Sequence, residues 1–220
     1  MGGYRAWCMA IVTVVLVAAC NAPPAGRDGP PATTPAGASG SPSSDGGFDQ
    51  AAAEQYCTDQ GGMLVERQAT WNTNADPQAW LELAGQMTLC EFESGTGDGA
   101  TRISVDLVTL SSTGPTLASV AYLSKVPATL PEVPSANPAE YNCREGLGGS
   151  SSFGNGAAGG GWVDASQPVF KVMNLCVFPD LSAIDAFGIL YYADGSVRGA
   201  DLATKFRYQP GDQLPAIFGR

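Results

Sequence analysis

Four cysteines in two pairs of equal spacing constrain this chain more than any other feature. Cys57 and Cys90 stand 33 positions apart, and Cys143 and Cys176 repeat that interval. A shift of 86 residues superposes the pairs and carries their neighbours along. Ala53 and Glu54 then fall on Ala139 and Glu140, while Met87, Leu89 and Phe92 fall on Met173, Leu175 and Phe178. Identities clustered around both cysteines at one offset point to an internal duplication. The expected fold class is α+β, in two tandem modules at 48–126 and 135–210. Each is expected to run helix, strands, short helix around one disulfide. Residues 127–134, with three prolines, read as a linker, and 211–220 as a C-terminal tail.

The first nineteen residues read as a signal peptide rather than as part of the fold. Arg5 supplies a short positive region, and Ala6 to Val17 an apolar run too short to span a bilayer comfortably. Val17-Ala18-Ala19-Cys20 then resembles a bacterial lipobox, which makes Cys20 the expected lipidation site, palmitate being one acyl chain it would carry. Residues 20–47 are dominated by Pro, Gly, Ala, Ser and Thr. They lack the apolar surface to offset chain entropy, so they read as a flexible tether. The expected address is the cell envelope, outside the cytoplasm, with the lipid as the membrane partner. Asn21 rather than Asp after the cysteine favours the outer membrane in a two-membrane cell.

With Cys8 removed and Cys20 acylated, four of the six cysteines remain in an oxidising compartment. Three pairings are open to them. A module copied whole keeps its own bridge, which selects Cys57–Cys90 and Cys143–Cys176. No C-x-x-C spacing and no histidine occurs, so no metal site and no cofactor is expected.

Local signals fill in the modules. Asp49 is placed to cap a helix that Gly61-Gly62 stops, and Asn137-Pro138 opens its counterpart. Met63 to Trp71 and Leu81 to Phe92 read as strands, as does Val169 to Phe178. Arg102 to Leu110 alternates like a strand, and Phe187 to Tyr192 is read as its counterpart, turning at Asp194-Gly195. Thr116 to Lys125 and Asp201 to Tyr208 suit short helices. Gly146 to Gly161 holds eight glycines and is expected to be an exposed loop ending at Trp162, which reads first as packing back over the core and alternatively as a partner contact.

From Asn137-Pro138-Ala139 through Cys143, and again at Leu175-Cys176-Val177-Phe178-Pro179-Asp180, the chain resembles a family of small bacterial envelope modules labelled haemolysin. That family's biochemical role is undefined, and the resemblance carries over no catalytic residue. Leu181 stands where the family has Gly, and 183–187 lack its later cysteines.

Composition narrows the function classes. Twenty-one acidic against eleven basic residues give a formal charge of −10, which argues against a nucleic-acid partner. Without histidine the commonest general base is missing, and no G-x-S-x-G or S-x-x-K motif occurs, so no enzyme and no catalytic residue is expected. Glu91, Glu93 and Asp98 surround Gly95-Thr96-Gly97 without the ligand order of an EF-hand, and read as an ordinary acidic loop. The expected function is a lipid-tethered envelope protein that binds an envelope protein or cell-wall partner. The alternative is an exported inhibitor presenting Gly154 to Trp162 to a secreted hydrolase. Reducing the bridges should lower stability by on the order of 3 kcal/mol for each closed loop. Urea unfolding with and without reductant checks this, and an unchanged midpoint would refute it.

Overall fold

A computed structural model describes residues 48–128, 130, 137–151, 158–164, 166, 172–211, 214, 215, 217 and 218. The expected signal peptide, Cys20 and tether at 1–47, and residues 129 and 131–134 of the expected linker, lie outside that set. Everything below concerns the folded unit from Gly46 onward.

Five helices form, each with a capping residue legible in the chain. In α1 (Gln50–Asp59) the Asp49 carboxylate accepts from the Ala52 amide at 3.0 Å. Two short helices follow the third strand: α2 (Leu107–Ser111), capped by Asp106, and α3 (Leu117–Ser124), where Thr116 and Ser119 cap reciprocally. Asn137 and Pro138 start α4 (Pro138–Tyr141), which widens at once into a π turn, Asn142–Gly146. Asp185 caps α5 (Ala186–Ala193) by accepting from the amides of Phe187 and Gly188.

Eight strands make one sheet: β1 (Met63–Trp71), β2 (Leu81–Ser94), β3 (Thr101–Asp106), β4 (Ser150–Ser151), β5 (Gly160–Asp164), β6 (Val172–Met173), β7 (Leu175–Val177) and β8 (Ala183–Asp185). Their order is β4-β7-β8-β3-β2-β1-β5-β6, and every neighbouring pair is antiparallel. Outward from the β3–β8 junction the order is thus β3-β2-β1 on one side and β8-β7-β4 on the other. Strand β6, at one edge, is joined to β7, next to the opposite edge, through Asn174 alone. The sheet must curl for that single residue to connect them.

The curl gives the sheet two unlike faces, because successive side chains point to opposite sides. Cys90, Phe92, Ile103, Val105, Cys176 and Ile184 pack outward against the helices, forming the main core with Ala53, Leu110, Ala121 and Leu190. Ala69, Leu89, Trp162, Met173, Leu175 and Ala183 meet on the inner face as a smaller core. Their strands are dispersed through the sheet order, which is what a curled sheet brings together.

Both disulfides form as the spacing implied, Cys57–Cys90 with Cα atoms 5.7 Å apart and Cys143–Cys176 at 5.6 Å. The first ties α1 to the second strand after it, β2, the second ties the π turn to the fourth strand after it, β7, and all four cysteines are buried. The arrangement of the halves differs from expectation. One sheet and one main core cross the boundary at 127–134, so the residues of both expected modules lie in one compact unit.

Four local readings are corrected. Phe187 to Tyr192 belongs to α5, not to a strand: Asp185 caps it, and Asp194-Gly195 ends that helix rather than turning a hairpin, with the Ser196 amide reaching the Tyr191 carbonyl at 2.8 Å. Strand β3 ends at Asp106 because the same kind of cap starts α2 there. The glycine run ends in strand rather than exposed loop: Trp162 lies within β5, opposite Ala69 and Met173, and at 9% exposed it packs in the core, the reading favoured over a partner contact. The Asp201 segment yields only a 3₁₀ turn, Leu202–Thr204.

Each bridge is covered by one glycine. A Cβ on Gly62 would stand 2.4 Å from Cys90 Sγ, and one on Gly149 would stand 2.6 Å from Cys176 Sγ. We expect Gly149→Ala to destabilise the fold by about 1–3 kcal/mol, the usual cost of overpacking. Thermal unfolding beside Gly99→Ala, whose added Cβ meets nothing within 4 Å, checks it. Equal midpoints for the two variants would refute it.

Candidate functional site

The inner face of the sheet is not wholly apolar. Arg67 on β1 and Glu91 on β2 project into it and pair at 2.5 Å, both essentially without solvent exposure. The Ser104 hydroxyl on β3 donates to the same Glu91 oxygen at 3.0 Å. A buried pair of this kind contributes little net stability, since desolvation offsets the attraction, but losing one partner leaves the other's charge buried. It fixes the relative placement of three adjacent strands.

Above this pair opens a cavity of about 270 Å³, lined by Arg67, Arg102, Val172, Met173, Asn174, Asp185, Phe187 and Arg198. The lining comes from β1, β3, the β6–β7 connection, the start of α5 and the segment after it. Only the curl brings these elements to one place, and a concave site with a few convergent polar groups is where ligands bind. Arg198 lies over two rings, its guanidinium carbon 5.3 Å from the centroid of Tyr191 and 5.9 Å from that of Phe187.

Asp185 is the carboxylate of the cavity wall and is 5% exposed. Its Oδ1 accepts both capping bonds, from Phe187 at 2.9 Å and Gly188 at 3.2 Å. Among the described residues its Oδ2 takes no hydrogen bond. Burial pushes its pKa up to about 6, against the opposing pull of the Arg198 charge, the two amides and Arg67. Asp106, the cap of α2, is used differently. Its Oδ1 accepts from the Thr109 amide, while its Oδ2 accepts from the Thr109 hydroxyl and, at 2.5 Å, from the Ala183 amide. Its pKa is also raised by burial.

The residues singled out from sequence divide sharply. Cys57, Cys90, Cys143 and Cys176 are paired inside the helix-side core, far in role from the cavity. Cys20 lies outside the described residues. Glu91 does not belong to the loop with Glu93 and Asp98: it is 1% exposed and neutralised by Arg67. Residues 154–157 of the inhibitory-loop reading are outside the described set, and Gly160–Trp162 are strand. Arg67, Arg102, Asp185 and Arg198 carry no sequence motif. A charged pair at alternate positions of two apolar strands was the one available signal for Arg67 and Glu91.

No family model, curated protein or solved structure matches this chain.

The Asp185 environment predicts a pH dependence. The folded chain holds this proton more tightly than the unfolded chain, where the carboxyl titrates near 3.8. Its contribution to stability is present below that value and is lost as pH rises through about 6. Asp185→Asn retains a capping side chain and removes the titration, so its stability should fall less than the wild type's across that window. Urea unfolding at stepped pH measures the two slopes, and identical slopes would refute the assignment.

Proposed function

We propose that this chain is a non-catalytic binding protein of the bacterial cell envelope, held at the membrane by lipid on Cys20 and displaying its folded unit on the 20–47 tether. The observation that carries the binding role is the cavity of the inner face. Its lining supplies guanidinium donors, one carboxylate, one amide and three apolar side chains, a set suited to holding and orienting a ligand. The anchoring role rests on the lipobox and on the composition of the tether. Among the described residues no helix is long and apolar enough to cross a membrane.

The duplication belongs to the same proposal. Supporting it are two bridges of equal span, a glycine over each, strand orders that match outward from β3–β8, and an aspartate cap after each of β3 and β8. On this reading an ancestral half resembling the small envelope modules doubled into one sheet. One copy of the capping aspartate was then turned to holding the halves together, and the other to the cavity.

Expressed in a bacterium that processes lipoproteins, the wild type should sediment with membranes and carry acyl mass, and Cys20→Ala should be released in soluble form. An unmodified, soluble wild type would refute the anchor. A photocrosslinking residue at Val172, on the cavity rim, should trap a ligand or partner from intact envelopes. Recovery of the bare chain alone would refute the binding role.

A further inference from the structure

Three guanidinium groups meet in one small cavity of a chain that has only eleven Lys and Arg in total and a net charge of −10. They are not equivalent. Arg67 lines the cavity almost without solvent exposure and is paired with Glu91, whose same oxygen also accepts from the Ser104 hydroxyl. Arg102 and Arg198 are half-buried at its wall, and among the described residues neither lies within ion-pair distance of a carboxylate.

Their proximity is enforced by the backbone. Gly199 takes φ +63, and its amide donates to Thr101 Oγ1 at 3.0 Å. A Cβ there would stand 2.2 Å from the Phe92 carbonyl oxygen and 2.7 Å from the Ile103 amide nitrogen. Only glycine allows the segment so close to β2 and β3, and that approach delivers Arg198 to the cavity that Arg102 already lines. Two like charges brought together in a partly desolvated cavity repel, and an anion between them reverses the sign of that interaction.

The charge balance and the shape of the wall select the ligand. With Arg67 paired to Glu91, the other charged residues of the lining are Arg102 and Arg198 against Asp185, which leaves one positive charge and matches a monoanion. A phosphate dianion would overcompensate that charge and face the Asp185 carboxylate. Guanidinium groups bind carboxylates through paired, charge-assisted hydrogen bonds. Val172, Met173 and Phe187 complete the lining with apolar surface. The volume, about 270 Å³, sits just under the usual range for ligand pockets, so the ligand is small.

We propose that the cavity binds a small organic monocarboxylate, its carboxylate held between Arg102 and Arg198 and its apolar portion against Val172, Met173 and Phe187. This rests on the binding role and names the chemistry of the ligand.

The test uses the full-length protein in lipid nanodiscs, titrated near neutral pH with hexanoate, hexylamine and inorganic phosphate, and read by calorimetry. Hexanoate should saturate. Arg102→Gln and Arg198→Gln should each weaken it about tenfold, the worth of one charge-assisted hydrogen bond. Arg198→Lys should restore part of the loss, because a point charge replaces the fork. The unfolding midpoint of each variant establishes that it is folded. Tighter binding of phosphate than of hexanoate, or binding of hexylamine, would overturn the ligand class. So would hexanoate affinity unchanged in both glutamine variants, or no saturation by folded wild type. If the Val172 crosslink forms while hexanoate fails, the class alone is wrong. If neither occurs, the binding role itself falls.

Discussion

The two halves of this sheet are joined through very little backbone, and one carboxylate secures the seam. Strands β3 and β8 share a single aligned pair, Val105 with Ile184. Asp106, the next residue of β3, accepts the Ala183 amide with one oxygen and caps α2 with the other. Strand, seam and helix are thereby fixed by one side chain. Burial raises the carboxyl's pKa, because desolvation disfavours its charged form. Sheet order, the placement of α2 and the path into β8 all follow from this contact. Without it, the outward halves would meet edge to edge through one residue pair.

Continuity at the other end completes the curl. Asn174 separates β6 from β7, and its carbonyl accepts the first amide of α5, that of Ala186, at 2.9 Å. The chain therefore runs from the far edge of the sheet to the opposite side in one residue and is pinned to the helix that carries Asp185. A flat sheet of this order would hold these strands far apart. The inner face becomes an enclosure, and its charged residues gain the low-polarity surroundings in which ion pairing and hydrogen bonding are strongest. Helices cover the outer face, where the disulfides and most of the apolar residues lie.

The parts of this architecture that were legible in the chain are those with local causes. Asp49, Thr116 and Asn137-Pro138 cap as their side chains require, and the equal cysteine spacing anticipated both bridges. Helix α5 was misread because Phe187, Ile189, Leu190, Tyr191 and Tyr192 favour strands as strongly as a buried helix. The deciding signal was Asp185 immediately before that apolar run. The strand that holds Trp162 was missed because glycines precede that residue. In β5 those glycines let neighbouring strands approach closely: a Cβ on Gly161 would stand 2.6 Å from a Val172 methyl. The single sheet had no local signature, since pairing between β3 and β8 is a tertiary event. The same holds for the cavity, whose residues are scattered from Arg67 to Arg198 and share no spacing.

The π turn at Asn142–Gly146 shows how a length mismatch can be confined. From Cys57 to the glycine over its bridge is five positions, and from Cys143 to its own glycine is six. In both places that glycine's amide donates to the carbonyl of the cysteine, at 3.0 Å from Gly62 and 2.9 Å from Gly149. The extra residue is taken up by one widened helical ring, and the stretch from glycine to second cysteine is correspondingly one shorter. The longer turn and the shorter segment beyond it offset one another, so both bridges close loops of equal span. The disulfide thus acts as a ruler that both halves must satisfy, while the chain between its marks is free to change length.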